Sequence, residues 1–201
     1  MIVVGVILAG GKSRRMGGGD KFLRAIGGKS MLDHALTRLA PQVDQVILSV
    51  NGNRQNLGGY GLPIVEDGPY AGRGPLAGIL AGLRWSEAAS ADSAIIVSVP
   101  ADTPFVPLDL AASLSGALSP SIDVAIATSL GQNHHAIAAW PVRIRRLLDD
   151  WLKQSESFAV KDFLLSCRTT TVDFAGAPGD PFFNVNTPRD LEEANAMHGA
   201  R

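Results

Sequence analysis

Residues 2–21 read IVVGVILAGGKSRRMGGGDK, and this stretch decides the fold class. Ile2 to Leu8 is a β-branched apolar run without polar alternation, the pattern of a strand covered on both faces. A polar, glycine-rich loop from Ala9 to Asp20 follows it directly. Outward from there, strand and helix signals alternate. Ser30 is placed to cap a helix whose apolar positions, Met31, Leu32, Ala35, Leu36 and Leu39, recur at helical spacing until Pro41. Val46 to Val50 and Leu62 to Val65 read as strands, and Pro75 opens a helix running to about Trp85. Ala94 to Val99 is a central strand that stops at Pro100-Ala101-Asp102-Thr103-Pro104, with a helix near Leu108 to Leu114. Strands are predicted at Val124 to Ala127, Ala136 to Trp140 and Thr170 to Phe174, and a helix at Val142 to Leu152. Thr187 as cap, Pro188 in the first turn and Asp190 three residues after the cap start a last helix that reaches about Met197. The alternation predicts an α/β architecture of three layers: a mostly parallel central sheet with helices on both faces. One domain over residues 1–201 is expected. In such sheets ligands bind beyond the carboxyl ends of the strands, so the loops after Leu8, Val50, Val65 and Val99 carry the interest.

Composition narrows the function classes. The chain is 46% hydrophobic and 18% charged, enough apolar matter for a large core. Lys plus Arg (18) nearly balances Asp plus Glu (19), which excludes a strongly basic nucleic-acid binder. A lone cysteine, Cys167, excludes an internal disulfide framework and a cysteine-rich zinc site, and nothing near it in sequence makes a base for a nucleophile. The apolar start lacks the preceding positive charge of a secretory signal, and no apolar run approaches the roughly 20 residues of a membrane helix. A cytoplasmic protein is expected.

Residues 8–21 hold five glycines and four cations, Lys12, Arg14, Arg15 and Lys21. Glycines let successive backbone amides converge on one anion, and the cations add charge to the same concavity, which suits a polyphosphate. A solvated surface loop is the competing reading, and the buried-type strand leading into the loop favours binding. A Walker loop is excluded: five residues before Gly11-Lys12-Ser13 stands Val6, and before Gly28-Lys29-Ser30 stands Leu23. The dinucleotide fingerprint fits only loosely at Gly72, Gly74 and Ala77. Asp102, just past a central strand, is placed either to ligate magnesium through a hard carboxylate oxygen or to cap the following helix. Asn184 and Asn186 flank Val185, so both amides are expected on one face of an extended segment.

LAGGKSRRMGGGDK resembles the signature of nucleotidyltransferases of the nucleotide-diphosphosugar transferase fold. Its double arginine, Met-Gly and Asp-Lys pair most resemble the molybdenum cofactor guanylyltransferases. VNGNR, VEDG, GPLAGI, PADTPF and NVNTPRDL continue the likeness in order. The resemblance implies a Rossmann-like nucleotidyltransferase fold, with a nucleotide part at about 1–110 and an acceptor part at about 111–201. It implies transfer of GMP from magnesium–GTP to molybdenum-bound molybdopterin, with Asp102 holding Mg2+. Leu8, Ala9, Gly10, Lys21, Asn51, Asp67 and Asp102 match the family's GTP-binding positions. Arg15 and Gly18 match positions tied to catalysis or acceptor binding, Lys21 and Asp102 join them as catalytic residues, and Asn184 and Asn186 lie on the acceptor side. Molybdopterin-delivering proteins and molybdoenzyme chaperones are implied as partners.

Guanine presents adjacent N–H donors that the Asp67 carboxylate suits, and Asn51 suits a base or ribose contact; both residue types also serve as plain turn residues. Rival readings are a cytidylyltransferase of the same cofactor, a sugar-phosphate nucleotidyltransferase, and a nucleotide-binding protein without turnover. The chain departs from the family in two places. His134-His135 stands where His-Pro is usual, and adjacent strand residues face opposite ways, so joint metal ligation is not expected. A basic pair after the helix ending near Lys153 is replaced by Gln154-Ser155-Glu156-Ser157-Phe158, leaving Lys161 as the nearest cation.

Overall fold

The computed structural model describes residues 2–10, 20–51, 56–90, 94–174 and 179–199. Its strands are β1 (Ile2–Leu8), β2 (Ala25–Ile26), β3 (Lys29–Ser30), β4 (Gln45–Ser49), β5 (Ile64–Val65), β6 (Ala94–Pro100), β7 (Val124–Ser129), β8 (Gln132–Pro141) and β9 (Thr169–Asp173). Its α-helices are α1 (Met31–Leu39), α2 (Pro75–Ser90), α3 (Leu110–Gly116), α4 (Arg145–Gln154), α5 (Val160–Leu164) and α6 (Pro188–Gly199). Seven strands form one sheet in the order β5-β4-β1-β6-β8-β7-β9. Every pairing is parallel except those of β8, which runs antiparallel to both β6 and β7. The mostly parallel sheet read from the sequence is therefore present, with one reversed strand. The reversal follows from the turn at Leu130 and Gly131, which is too short for a parallel crossover and returns β8 against β7 as a hairpin.

Helices cover both faces. On one, Leu32, Leu39, Leu110 and Leu114 pack onto Ile7, Leu48, Val97 and Val99. On the other, Leu76, Leu80 and Leu83 of α2, with Leu148 and Leu152 of α4, pack onto Val6, Ile47 and Ile96. This is why β1 and β6 lack polar alternation: each of their faces is a core face. Ser30 caps α1 in a complete capping box with Asp33, as its position suggested.

A hairpin and a short helix escaped the sequence reading, and one strand was read too short. The hairpin β2–β3 is only two residues per strand and turns at Gly27 and Gly28, both at positive φ, a backbone that favours glycine. Short helix α5 was not expected. Strand β8 is twice as long as read and carries a large irregularity: its ladder with β7 jumps from Ile126↔Ala138 to Ala127↔His134. His135, Ala136 and Ile137 are thus left out of that ladder. Buried Ser98 of β6 anchors the bulge, donating to the Ala136 carbonyl at 2.8 Å while accepting from the Trp140 indole at 2.8 Å.

Candidate active site

At the carboxyl end of the parallel strands lies a cavity of about 320 Å³, lined among others by Leu8, Asn51, Asp67, Gly78 and Asp102. It falls where four loops meet, and backbone bonds hold their mouths in register. Ala9 N donates to the Ser49 carbonyl at 2.9 Å, Val50 N to Val65 at 3.0 Å, and Ala101 N to Leu8 at 3.0 Å. The volume suits an organic ligand of nucleoside size.

At one end stands Asp67, buried at 6% exposure. Asn51 grips it from both sides: the Asn51 amide nitrogen donates to Asp67 Oδ2, and Asp67 N donates to Asn51 Oδ1 at 3.1 Å. Ser49 Oγ reaches Asp67 Oδ1 at 3.5 Å. Burial raises the Asp67 carboxyl above its ordinary value, and the Asn51 and Ser49 hydrogen bonds pull part of that back. The result is a carboxylate held in one orientation, with lone pairs left for a ligand's N–H donors.

At the other end Lys21 Nζ donates to Asp102 Oδ2 at 2.5 Å and to Asn186 Oδ1 at 2.6 Å. The two charges are only 14% and 22% exposed at their side chains. Asp102 Oδ1 is buried and has no hydrogen-bond partner among the described residues. A buried carboxylate oxygen left without a partner is costly unless something else binds it. Hard anionic oxygen is what Mg2+ requires, so the residue fits that ion. The backbone fixes Asp102 from behind, since Val185 N donates to its carbonyl at 3.0 Å. Among the described residues no cluster of three or more His, Cys, Asp or Glu could hold a metal by itself. Any ion here would therefore take its remaining ligands from substrate and water.

Asn186 is set in turn by the start of α6. Asp190 Oδ2 accepts from the Asn186 and Thr187 amides, each at 2.8 Å, and Asp190 N donates back to Thr187 Oγ1 at 3.2 Å. The expected alternation holds: Val185 is fully buried, while Asn184 and Asn186 are exposed toward the site. Asn184 also lines a second cavity of about 330 Å³, with Thr103, His134, His135, Lys161 and Phe182. Pro100, Ala136 and Asn184 line both hollows, so the two adjoin.

The structure thus brings Leu8, Gly10, Asn51, Asp67, Asp102 and Asn184 to one cavity, with Lys21 and Asn186 joined to Asp102. Ala9 sits behind it, beside Lys21 and Asp102 in a small hollow. Arg15 and Gly18 lie outside the described residues, as does most of the loop that carries them. Sequence reasoning missed Ser49, Gly78 and the bulge. Ser49 had a signal, a polar residue in an apolar strand. Gly78 lay inside GPLAGI, and its reason is spatial: a Cβ there would meet Ser49 Oγ at 2.5 Å and Leu8 Cδ2 at 2.9 Å. Its absence lets α2 approach the cavity floor. His134 and His135 both border the second cavity, at the irregular stretch where the β7–β8 ladder is interrupted. Cys167 is inert as read, its thiol pushed up to about 11 by burial. No helix among the described residues is long and apolar enough to cross a membrane.

Comparisons with known proteins agree with this fold. The model of the MobA-like NTP transferase domain matches residues 5–167. A molybdenum cofactor guanylyltransferase of Bradyrhizobium sp. (strain ORS 278) is 44% identical over 97% of this chain and 92% of its own. One of Acidiphilium cryptum is 43% identical over 95% and 93%. The crystal structure of molybdopterin-guanine dinucleotide biosynthesis protein A from Archaeoglobus fulgidus superposes with a TM-score of 0.79 over all of both chains, at 22% identity, which speaks for the fold. With a parallel-sheet cavity, a caged carboxylate at each end of it and these likenesses along nearly its whole length, the chain belongs to the MobA-like NTP transferase domain family, alongside molybdenum cofactor guanylyltransferases, and is a nucleotidyltransferase.

Proposed function

We propose that the protein transfers the guanylyl group of GTP to the terminal phosphate of molybdenum-bound molybdopterin in the cytoplasm, releasing pyrophosphate. An oxygen of the acceptor phosphate attacks the α-phosphorus of GTP. The bond from that phosphorus to the bridging oxygen breaks, and the electron pair leaves with pyrophosphate. The attacking oxygen is already anionic, so no proton has to be removed and no covalent enzyme intermediate is needed. What remains for the protein is alignment and neutralisation of charge.

The observation that carries this reading is the pairing of Asp67 at one end of the cavity with Asp102 and Lys21 at the other. Asp67 accepts the adjacent N–H donors of guanine, steadied by Asn51, which also lies within reach of the ribose side. Leu8, Ala9 and Gly10 shape the wall and backbone where the triphosphate enters the glycine loop. Lys21 adds positive charge at the phosphates, and Arg15 and Gly18 of the loop act with it. Asp102 would hold Mg2+ through Oδ1, and the chemistry that ion would supply is neutralisation of the triphosphate's charge. The acceptor lies in the second cavity next to Asn184, with Asn186 beside Lys21 at the junction with the nucleotide cavity, so its phosphate reaches the α-phosphorus across the shared wall.

The test is to incubate the protein with Mg2+, acceptor and α-labelled GTP, CTP, ATP or UTP in turn. Label should pass to the acceptor from GTP, with release of pyrophosphate; transfer from CTP instead would replace guanine by cytosine in this reading. A thermal-shift series should show the largest stabilisation with Mg2+–GTP, because preferential binding raises folded-state stability.

Acid should weaken GTP binding early. The ionised Asp67 is the form that accepts guanine's donors, and burial raises its pKa. KM for GTP should therefore climb as pH falls, starting above the usual aspartate value of about 4. The sign for stability is the reverse: a raised carboxyl pKa favours the folded state at low pH, and that contribution is lost as pH rises through it. Asp67→Asn should abolish the acid limb in KM, which steady-state kinetics from mildly acidic to neutral pH would show.

A further inference from the structure

Behind His134 of the second cavity runs a hydrogen-bonded chain that the transfer reaction does not require. Ser129, the last residue of β7, is fully buried. Its hydroxyl donates to Asp180 Oδ1 at 2.7 Å. Asp180 Oδ1 also accepts from the Phe182 backbone N–H at 2.9 Å, so the carboxylate is held from two sides. The other contact of Ser129 Oγ is His134 Nε2, at 2.7 Å. A serine hydroxyl has one proton. With that proton given to the carboxylate, Oγ must accept from the imidazole, and Nε2 must be the protonated nitrogen. His134 lines the cavity, and its ring packs against the Phe182 ring, with centroids 4.7 Å apart.

We propose that Ser129 and Asp180 are positioning residues that lock His134 in its Nε2–H tautomer, so that Nδ1 serves the second cavity as a hydrogen-bond acceptor and selects a substrate whose planar heterocycle carries an N–H donor. The inference rests on the reading that the acceptor substrate occupies this cavity, and it adds the group that recognises the ring. Burial lowers the His134 pKa, with Asp180 opposing and neighbouring His135 adding to the shift, which keeps the ring neutral and Nδ1 bare at neutral pH. A heterocycle offering only acceptors at that edge would meet lone pair against lone pair. Exposed Lys161, on α5 at the cavity rim, supplies the charge for an anionic substituent on the same ligand.

Two readouts test this on the intact protein. Long-range proton–nitrogen spectra of protein labelled in histidine should show His134 as the Nε2–H tautomer. In Ser129→Ala the signal should move toward the average of exchanging forms. A Nδ1–H tautomer, or averaging already in the wild type, overturns the lock. In steady state, Ser129→Ala and Asp180→Ala should raise KM for the acceptor about tenfold, the scale of one hydrogen bond, with kcat and the KM for GTP unchanged. Asp180→Asn, whose amide oxygen still accepts from Ser129, should restore most of the loss. An unchanged acceptor KM in Ser129→Ala, or kcat falling in step with stability, overturns the role. If the wild type guanylylates no acceptor while GTP binds, the reading of the acceptor fails, and the spectra alone decide the lock.

Discussion

Replacing Asp102 by alanine should lower kcat about a thousandfold or more while leaving the fold intact. The carboxylate has two oxygens in two states. Oδ2 is engaged by Lys21, whereas Oδ1 is buried without a partner among the described residues. If Oδ1 is the ligand of Mg2+, its removal takes away the site where triphosphate charge is offset, and about 4 kcal/mol of transition-state stabilisation corresponds to that thousandfold. Folding should survive, because Lys21 keeps Asn186 as a partner and the Asp102 backbone bond to Val185 does not involve the side chain. Asp102→Asn is the companion variant. It preserves shape and an oxygen for Lys21 but lacks the negative charge, so its activity should fall nearly as far. Pyrophosphate release measured beside a thermal melt separates the outcomes. Near-wild-type turnover in either folded variant would remove Asp102 from the metal role.

Asp67→Asn should lose GTP by about a hundredfold or more in kcat/KM, and with it the ability to tell guanine from its analogue lacking the 2-amino group. The substituted amide can still satisfy its neighbours: its oxygen accepts from Asn51, and its NH2 donates to the Ser49 hydroxyl. That arrangement leaves a donor facing guanine's own donors, a mismatch that buried polar sites punish heavily. Wild type should prefer GTP over inosine triphosphate, and the variant should treat the two alike. Retained discrimination in Asp67→Asn would show that the 2-amino group is read elsewhere. A variant at Gly78 would be a poorer probe of the same end, because a new Cβ would collide with both Ser49 and Leu8 and disturb packing together with binding.

How much of this was legible in the sequence depends on how local the cause was. The runs at Ile2 to Leu8 and Ala94 to Val99 were read as buried strands because a parallel strand covered on both faces has no polar alternation, a property of the residues themselves. The starts of α1 and α6 were legible for the same reason: Ser30 with Asp33, and Thr187 with Asp190, complete their hydrogen bonds within one turn of chain. By contrast, the helix read from Val142 begins as a tight 3₁₀ turn and becomes α-helical only at Arg145. Hydrophobic spacing alone does not distinguish those two first turns. The antiparallel course of β8 was hidden because the strand was read only from Ala136, which leaves out the residues next to the turn at Leu130 and Gly131 that make it a hairpin with β7.

The sequence by itself determined the layered α/β class, the strand ends from which the site grows, and the residue types gathered there, since each follows from periodicity, turn chemistry and caps that act over a few residues. Tertiary structure alone decided that Asn51 clasps Asp67, that Lys21 bridges Asp102 and Asn186 from opposite ends of the chain, and that His134 meets buried Ser129 beside a second hollow. The physical reason is burial. Which oxygen is left without a partner, and which nitrogen keeps its proton, are settled only when distant segments close over them and exclude water, so that each polar atom must find its partner inside the protein.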